Sequence, residues 1–307
     1  MNDAFVFDSW RDQSFRFSLP TVTWASVRWK LRQKYSQFRS LIGGGRFVWQ
    51  VEPNIRFVAR RNDAFSHVLF VCRGHETLEL QWCRRWLEPG DSLIDCGANI
   101  GYFSAYLAQA VPLGRVLAVE GNHRTAGVCS SNLALLGITN ASVIEAILAA
   151  NELEKLVIPD VRNREPWQRA VRAQNQSSAK VTTLDHLVES YGVNASLIKI
   201  DCEGYEPFIL QGARRLLQAQ RPALMIECND DSLNAANSSR AELFSILREN
   251  NYETFHLASF GSFHPPCLPC DETFPAREFN FAAIPGNPDS LQKWRSTSAA
   301  LLASIRS

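Results

Sequence analysis

The segment Ile94–Ser104 (Ile-Asp-Cys-Gly-Ala-Asn-Ile-Gly-Tyr-Phe-Ser) constrains the fold of this 307-residue chain more than any other. It consists of an apolar strand that ends on Asp95, a turn that carries Gly97 and Gly101, and a helix that begins at once. Such a unit places backbone N–H groups and one carboxylate at the carboxyl edge of a parallel sheet. We therefore predict an α/β domain that binds a nucleotide-like ligand at this edge.

The pattern downstream supports this fold class. From Ser92 onward, apolar strand-like runs alternate with helical segments, which is typical of a parallel sheet covered on both faces. The expected parallel strands are Leu93–Asp95, Val116–Glu120, Ser142–Ala146, Leu197–Asp201 and Ala223–Glu227. The runs Tyr252–Leu257 and Phe279–Ile284 have no helix between them and are expected to pair antiparallel. Helices are expected at Tyr102–Ala110, Arg124–Leu136, Leu184–Tyr191, Pro207–Gln218 and Ser239–Asn250.

We expect three parts along the chain. Residues 1–85 form an N-terminal extension with a basic helix at 21–42 and a β-hairpin made of Ile55–Ala59 and Val68–Cys72. A short helix, Thr77–Trp86, closes that extension. Residues 86–285 form the α/β domain, with residues 159–180 as an exposed basic insertion, and residues 286–307 form a helical tail.

Composition excludes several classes of protein. A formal net charge of +1 gives no reason to expect a nucleic-acid partner. Eight cysteines are too few for a disulfide scaffold, so we expect a cytoplasmic protein with reduced thiols. No run of 18 apolar residues occurs, so no transmembrane segment is expected. The basic helix 21–42 could touch an anionic membrane surface, although docking on its own domain is the favoured interpretation.

The glycine pattern argues against a dinucleotide. The spacing Gly97–Gly101 differs from Gly-x-Gly-x-x-Gly, Asn99 occupies the place where a phosphate would approach, and Asp95 would repel that phosphate. An aspartate at this point suits a cation instead, such as the ammonium of a methionine moiety. An NAD-dependent enzyme is therefore disfavoured, and S-adenosylmethionine (SAM) is the expected ligand.

Glu120 ends the second strand, nineteen residues after Gly101. A carboxylate in this place can accept hydrogen bonds from both ribose hydroxyls of a nucleoside. This spacing alone suits NAD and SAM equally well. It therefore predicts a nucleoside ligand without selecting one.

Several blocks together resemble the FkbM family of SAM-dependent methyltransferases. The similarity covers about residues 73–285, and the blocks occur in the family's order. They are Asp95–Ser104, Ala118–Glu120, Asn132, Thr183–Asp185, Ile198–Glu206 and Gly212. The chain departs from the family where a proline often follows the ribose-binding acid, since Gly121 and Asn122 stand there. The resemblance implies a seven-stranded Rossmann-like sheet with a reversed final hairpin, SAM as cofactor and, usually, O-methylation.

The resemblance also implies roles for individual residues. Asp95 and Gly97, in the turn with Asn99 and Gly101, would hold the methionine end of SAM, and Glu120 would bind the ribose. The turn after Ser142–Ala146 would contact the adenine, with Glu145 and Ala146 as candidates. Asp201 would line the space between the sulfonium and an acceptor, which is a hydroxyl on a small molecule, sugar or glycan. The basic residues of 159–180 suggest that this acceptor is anionic.

The second motif, Ile198–Glu206, supplies candidates for proton removal. An alcohol that attacks a methyl group must lose its proton, so a base or a metal is expected beside it. Asp201 or Glu203 could serve as the base, and Lys199 should point the same way as Asp201 because side chains alternate along a strand. Glu206 is more easily explained as a helix cap.

Two alternatives stay open. In the first, Asp201, Glu227 and Asn229 hold a magnesium ion, as in catechol-type O-methyltransferases. The favoured interpretation, in contrast, is an active site without a metal ion. In the second, the chain is a non-catalytic protein that keeps the fold to bind SAM or a nucleotide.

Overall fold

The structure is a computed structural model, and it describes residues 46–52, 55–60, 76–158, 170–172, 180–257, 268–273 and 280–306. The chain divides into two compact units. The first is Met1–Thr77 with Val161–Pro166, and the second is Leu78–Asp160 with Trp167–Ser307. The expected basic helix 21–42 lies outside the described residues, and the expected domain limits at 86 and 285 stay predictions.

The described part of the first unit is an antiparallel hairpin. Strand β1 (Arg46–Glu52) pairs with β2 (Ile55–Arg60), and Arg46 lies opposite Arg60. The expected strand Ile55–Ala59 is thus confirmed, and its partner in the described residues, β1, was not expected. The predicted partner Val68–Cys72 lies outside the described residues.

The second unit is built on an eight-stranded sheet. Its order is β11-β12-β10-β9-β3-β4-β5-β8, and all neighbours are parallel except at β12, which runs antiparallel to β10 and β11. The strands are β3 (Ser92–Cys96), β4 (Val116–Glu120), β5 (Ala141–Leu148), β8 (Lys180–Thr182), β9 (Ala195–Ile200), β10 (Ala223–Glu227), β11 (Tyr252–His256) and β12 (Asn280–Pro285). A separate pair, β6 (Leu156–Val157) and β7 (Val171–Arg172), is antiparallel.

Nine helices are seen within the described residues. They are α1 (Thr77–Trp86), α2 (Tyr102–Ala110), α3 (His123–Leu135), α4 (Leu184–Tyr191), α5 (Glu206–Gln211), α6 (Arg214–Ala219), α7 (Asp230–Ala235), α8 (Arg240–Glu249) and α9 (Pro288–Arg306). Side-chain oxygens of Asn122, Thr183 and Ser239 accept backbone N–H groups at the starts of α3, α4 and α8. None of these described helices is long and apolar enough to cross a membrane.

The Rossmann-like α/β class and the antiparallel final strands are confirmed, with two differences in detail. Within the described residues the sheet has eight strands instead of the expected seven, because the short β8 adds to β5 at the edge where the sequence suggested an insertion. The expected helix Pro207–Gln218 is two helices, which break at Gly212 and Ala213. A Cβ on Gly212 would lie 2.2 Å from the carbonyl oxygen of Ala149, so the backbone passes close to another element there.

The core follows the central strands of the second unit. Residues of β3, β4, β9 and β10 are buried almost throughout, because helices cover both faces of this parallel sheet. Trp82 of α1 and Trp294 of α9 are also buried, and their ring centroids are 5.4 Å apart. The polar side chains described below are therefore held at the carboxyl edge of a rigid sheet.

Candidate active site

The turn after β3 is closed by its own hydrogen bonds. The N–H groups of Gly97 and Ala98 both donate to the carbonyl oxygen of Val119 at 3.0 Å. The side-chain amide of the buried Asn132 donates to the carbonyl oxygen of Ile100 at 2.7 Å. The expectation that N–H groups of this turn face a ligand therefore does not hold for Gly97 and Ala98.

Gly97 brings the two sequence motifs into contact. Its φ is +76°, and a Cβ there would lie 1.9 Å from the backbone oxygen of Asp201. The N–H of Asp201 in turn donates to the carbonyl oxygen of Cys96 at 3.1 Å. Glycine is thus required at position 97 because the segment after β9 passes directly against the turn.

Asp95 is fully buried, and its partners belong to the protein. The hydroxyl of Ser104 donates to Asp95 Oδ2 at 2.6 Å. Lys199 Nζ lies 3.7 Å from Asp95 Oδ1. The cation beside Asp95 in the structure is therefore the ammonium of Lys199. The predicted contact of Asp95 with the methionine end of SAM stays a prediction.

Glu120 holds the two turns at the carboxyl ends of β3 and β4. Its carboxylate oxygens accept the N–H groups of Asn99 at 2.9 Å and Asn122 at 2.8 Å. Burial of the carboxylate raises the pKa of Glu120 to about 7, and the two N–H groups oppose this shift. Part of the residue is exposed, so a ligand that lies over these turns can reach it.

The residues expected near the adenine lie on the next strand. Glu145 of β5 is opposite Glu120 of β4 in the sheet, and Ala146 is buried. The Glu145 carboxylate lies 2.7 Å from Nδ1 of His123. Both side chains are well exposed, so this pair borders the site at the sheet edge.

Lys199 and Asp201 connect the first motif to the second. Lys199 is only 4% exposed, and its Nζ lies 2.9 Å from Asp201 Oδ2 and 5.1 Å from the centroid of the Phe103 ring. The Asp201 side chain is 29% exposed. The sequence-based expectation that Lys199 points the same way as Asp201 agrees with this contact.

Three carboxylates meet beyond Asp201. Asp201, Glu203 and Glu227 each offer an oxygen, and these oxygens lie within 4.8 Å of one another. Burial, followed by the negative charges of Asp201 and Glu203, raises the pKa of Glu227 well above its usual range. These residues could hold a divalent cation, because hard cations prefer carboxylate oxygens.

Asn229 does not complete the metal set that the sequence suggested. Its Oδ1 accepts the N–H groups of Asp231 and Ser232 and so begins α7. The third member of the cluster with Asp201 and Glu227 is instead Glu203. Its Oε2 accepts a hydrogen bond from the hydroxyl of Ser232 at 3.1 Å. An asparagine can serve as a helix cap or as an oxygen ligand, and the sequence analysis did not predict the helix that begins at Asp230.

Glu206 has a structural role, but it holds the turn before α5 instead of capping the helix as expected. It is buried, and its Oε1 accepts the N–H groups of Cys202 at 2.8 Å and Gly204 at 3.2 Å. Burial raises the pKa of Glu206 to about 7, and the N–H groups oppose that shift. It therefore fixes the turn that carries Glu203.

Two residues of the site were not singled out from the sequence. Ser104 fixes Asp95 from the first turns of α2, and Asn122 both binds Glu120 through its N–H and caps α3. The signal for Asn122 was present, since an asparagine just before a helix commonly serves as its cap. Ser104 had no such signal, because its contact depends on how α2 packs on β3.

A mostly parallel sheet with an antiparallel final strand pair, and acidic residues at its carboxyl edge, defines the class of Rossmann-like methyltransferase folds. Residues 95–254, just over half of the chain, match the model of the methyltransferase FkbM domain. The chain belongs to the FkbM family of methyltransferases, as its sequence motifs suggested. No curated protein sequence matches it.

Solved structures of similar fold include three methyltransferases. An FkbM methyltransferase from Methylobacillus flagellatus KT is 18% identical, with a TM-score of 0.42, over 64% of this chain and 44% of that one. TYW2 from M. jannaschii in complex with AdoMet is 13% identical, with a TM-score of 0.41, over 78% and 85%. A precorrin-6y C5,15-methyltransferase from Geobacter metallireducens GS-15 is 16% identical, with a TM-score of 0.40, over 67% and 86%. The chain therefore spans less than half of the length of the M. flagellatus protein.

Proposed function

We propose that this protein is a SAM-dependent methyltransferase that transfers a methyl group to a hydroxyl of a sugar, glycan or secondary metabolite. The observation that carries the proposal is the placement of Asp201. This carboxylate is partly exposed and follows β9 at the carboxyl edge of the sheet, and the backbone of Asp201 packs directly against Gly97. Membership of a methyltransferase family supports the reaction class.

The charges of the site fit SAM. Asp95, Glu120, Asp201, Glu203 and Glu227 face the same edge, while Lys199 is the cation found among them in the described residues. This excess of acidic groups favours a ligand with a positively charged sulfonium and ammonium. It would oppose the phosphates of a dinucleotide.

Each part of the edge has a proposed contact with the cofactor. Glu120 accepts the ribose hydroxyls, and the exposed Glu145 with Ala146 borders the adenine. The turn with Gly97, Asn99 and Gly101 lies against the methionine end. Asp95 is fully buried, so it acts there through Lys199 and the local negative charge.

SAM supplies an electrophilic methyl group on a sulfonium. Asp201 orients the acceptor hydroxyl and takes its proton as the oxygen bonds to the methyl carbon and the carbon–sulfur bond breaks. The products are a methyl ether and S-adenosylhomocysteine. Much of the rate comes from holding the acceptor oxygen in line with the methyl group.

Incubation with SAM that carries a labelled methyl group tests the proposal. A metabolite extract of the source cell serves as acceptor, and mass spectrometry identifies the labelled product. We expect an O-methylated small molecule or glycan. SAM binding without any transfer would favour the non-catalytic alternative instead, and activity abolished by EDTA would favour the magnesium-dependent one.

Two further observations support a reducing cell compartment and an anionic acceptor for this reaction. The described cysteines are free thiols, which suits a reducing compartment such as the cytoplasm. Arg172, in the part of the basic insertion that the structure describes, is exposed and suits an anionic acceptor. Extending the labelled-methyl assay to phosphorylated and neutral sugars tests this preference.

A further inference from the structure

Lys199 has contacts that differ on its two sides. On one side lies Asp95, its neighbour in the β3–β9 register, which is fully buried and fixed by the hydroxyl of Ser104. On the other side lies Asp201, which is 29% exposed and closer, at 2.9 Å. Lys199 therefore links the buried carboxylate of Asp95 to the partly exposed carboxylate of Asp201.

The burial of Lys199 restricts where its ammonium can be. Removing an ammonium from water costs several kcal/mol unless carboxylates or aromatic faces replace the water. Asp95, Asp201 and the ring of Phe103 supply these partners. Because Ser104 and the strand pairing fix Asp95, the position of Asp201 Oδ2 is fixed in turn.

We propose that Lys199 is a positioning residue for methyl transfer. Anchored on Asp95 and Ser104, it holds the Asp201 carboxylate in the orientation in which it can accept the proton of the acceptor. This inference rests on the proposed function. Lys199 itself touches neither the acceptor nor the methyl group.

Lys199→Met tests the proposal, because methionine has a similar volume and no charge. We expect the rate of methyl transfer from SAM at pH 7 to fall by at least about 30-fold, which is within the range for loss of general-base assistance. The dissociation constant of SAM, measured by calorimetry, should change by less than about threefold, because the lysine holds the base and not the cofactor. Lys199→Arg keeps a cation that can donate to Asp201, so it should restore part of the lost rate.

The control is Lys293→Met, which removes a lysine of α9 that lies over the ring of Trp86 and should keep the wild-type rate. A Lys199→Met rate equal to that of the wild type would overturn the inference. So would equal losses of rate and of SAM affinity. If the wild-type protein itself transfers no methyl group, the proposed function fails, and the two failures are thereby distinguished.

A second variant covers the case in which Lys199→Met does not fold, since it leaves Asp95 buried without its cation. The double variant Asp95→Asn, Lys199→Met removes both charges and should be more stable than the single variant. It should show the same loss of rate with the affinity for SAM retained. A double variant with the rate of the wild type would contradict the proposal.

Discussion

Asp95 lies in β3, and Asp201 directly follows the neighbouring strand β9. Both contact Lys199, but they differ in exposure. Asp95 is fully buried and bound to Ser104, whereas Asp201 is 29% exposed and borders Glu203 and Glu227. The first aspartate belongs to the framework of the site, and the second can meet a ligand. The comparison teaches that a carboxylate at a strand end in a sequence motif can serve as an anchor for another residue instead of a ligand contact.

The largest effect is expected for substitution of Asp201, the more exposed of the two aspartates. Asp201→Asn should lower the rate of methyl transfer by about 10²- to 10⁴-fold, because the amide cannot accept the proton. The dissociation constant of SAM should change little. Rates come from formation of labelled product, and affinities from calorimetry.

Asp289→Asn, in the first turn of α9 and exposed, is the matched control for this variant. Equal losses of rate and of SAM affinity in Asp201→Asn would remove the proposed role as base. Asp201 would then contribute to binding of SAM only.

Substitution at the contact between Gly97 and the backbone of Asp201 should have a nearly equal effect. Gly97→Ala places a Cβ 1.9 Å from the backbone oxygen of Asp201 at a φ of +76°, so the turn or the segment after β9 must move. We expect a loss of about 3 kcal/mol in the free energy of unfolding, measured by urea denaturation.

Gly127→Ala is the control for Gly97→Ala. It lies on the exposed face of α3, with nothing within 4 Å of the added Cβ. Alanine should stabilise this helix by up to about 1 kcal/mol. A harmless Gly97→Ala would mean that the two motifs do not pack as described.

Glu206 should make stability depend on pH. Its pKa is about 7 in the folded protein and 4.5 in its ordinary state, so the folded protein holds a proton that the unfolded chain has lost between these values. The stabilisation is complete below pH 4.5 and disappears as the pH rises to 7. Relative to Glu206→Gln, the wild type should lose up to about 3 kcal/mol over this range.

Urea denaturation of both proteins at several pH values measures this difference. The glutamine is a fair comparison because its oxygen can still accept the N–H groups of Cys202 and Gly204. A difference that stays constant from pH 4.5 to 7 would contradict the raised pKa of Glu206.

The smallest expected effect is the pH dependence of SAM binding through Glu120. Burial raises the pKa of Glu120 to about 7, and ribose hydroxyls bind its ionised form better. SAM should therefore bind about tenfold more tightly at pH 8 than at pH 6, in proportion to the ionised fraction. Calorimetry at both values measures the change, and Glu120→Gln should lose it. The same pH dependence in Glu120→Gln would assign the effect to another group.

Local patterns predicted the elements that are long and apolar. The bounds of β4, α2 and α4 agree with those expected, because buried runs and helical periodicity are visible in the sequence itself. The strands Arg46–Glu52 and Lys180–Thr182 were missed. The first carries no clear alternation, and the second has only three residues.

The contacts of the site were harder to predict than its residues. Asp95, Glu120 and Asp201 were recognised at strand ends, but the Asp95–Lys199 pair depends on β3 lying beside β9. These strands are about 100 residues apart in the sequence, and no local pattern specifies their register. The use of Asn229 as a helix cap instead of a metal ligand likewise depends on where α7 begins.

Calorimetric titration with SAM tests the central claim most directly. The wild type should bind SAM with a dissociation constant in the micromolar range. Glu120→Ala should weaken that affinity by at least about tenfold, since it removes a charged acceptor of hydrogen bonds, and Asp201→Asn should leave it within about threefold. A wild-type protein that does not bind SAM in the micromolar range would contradict the account.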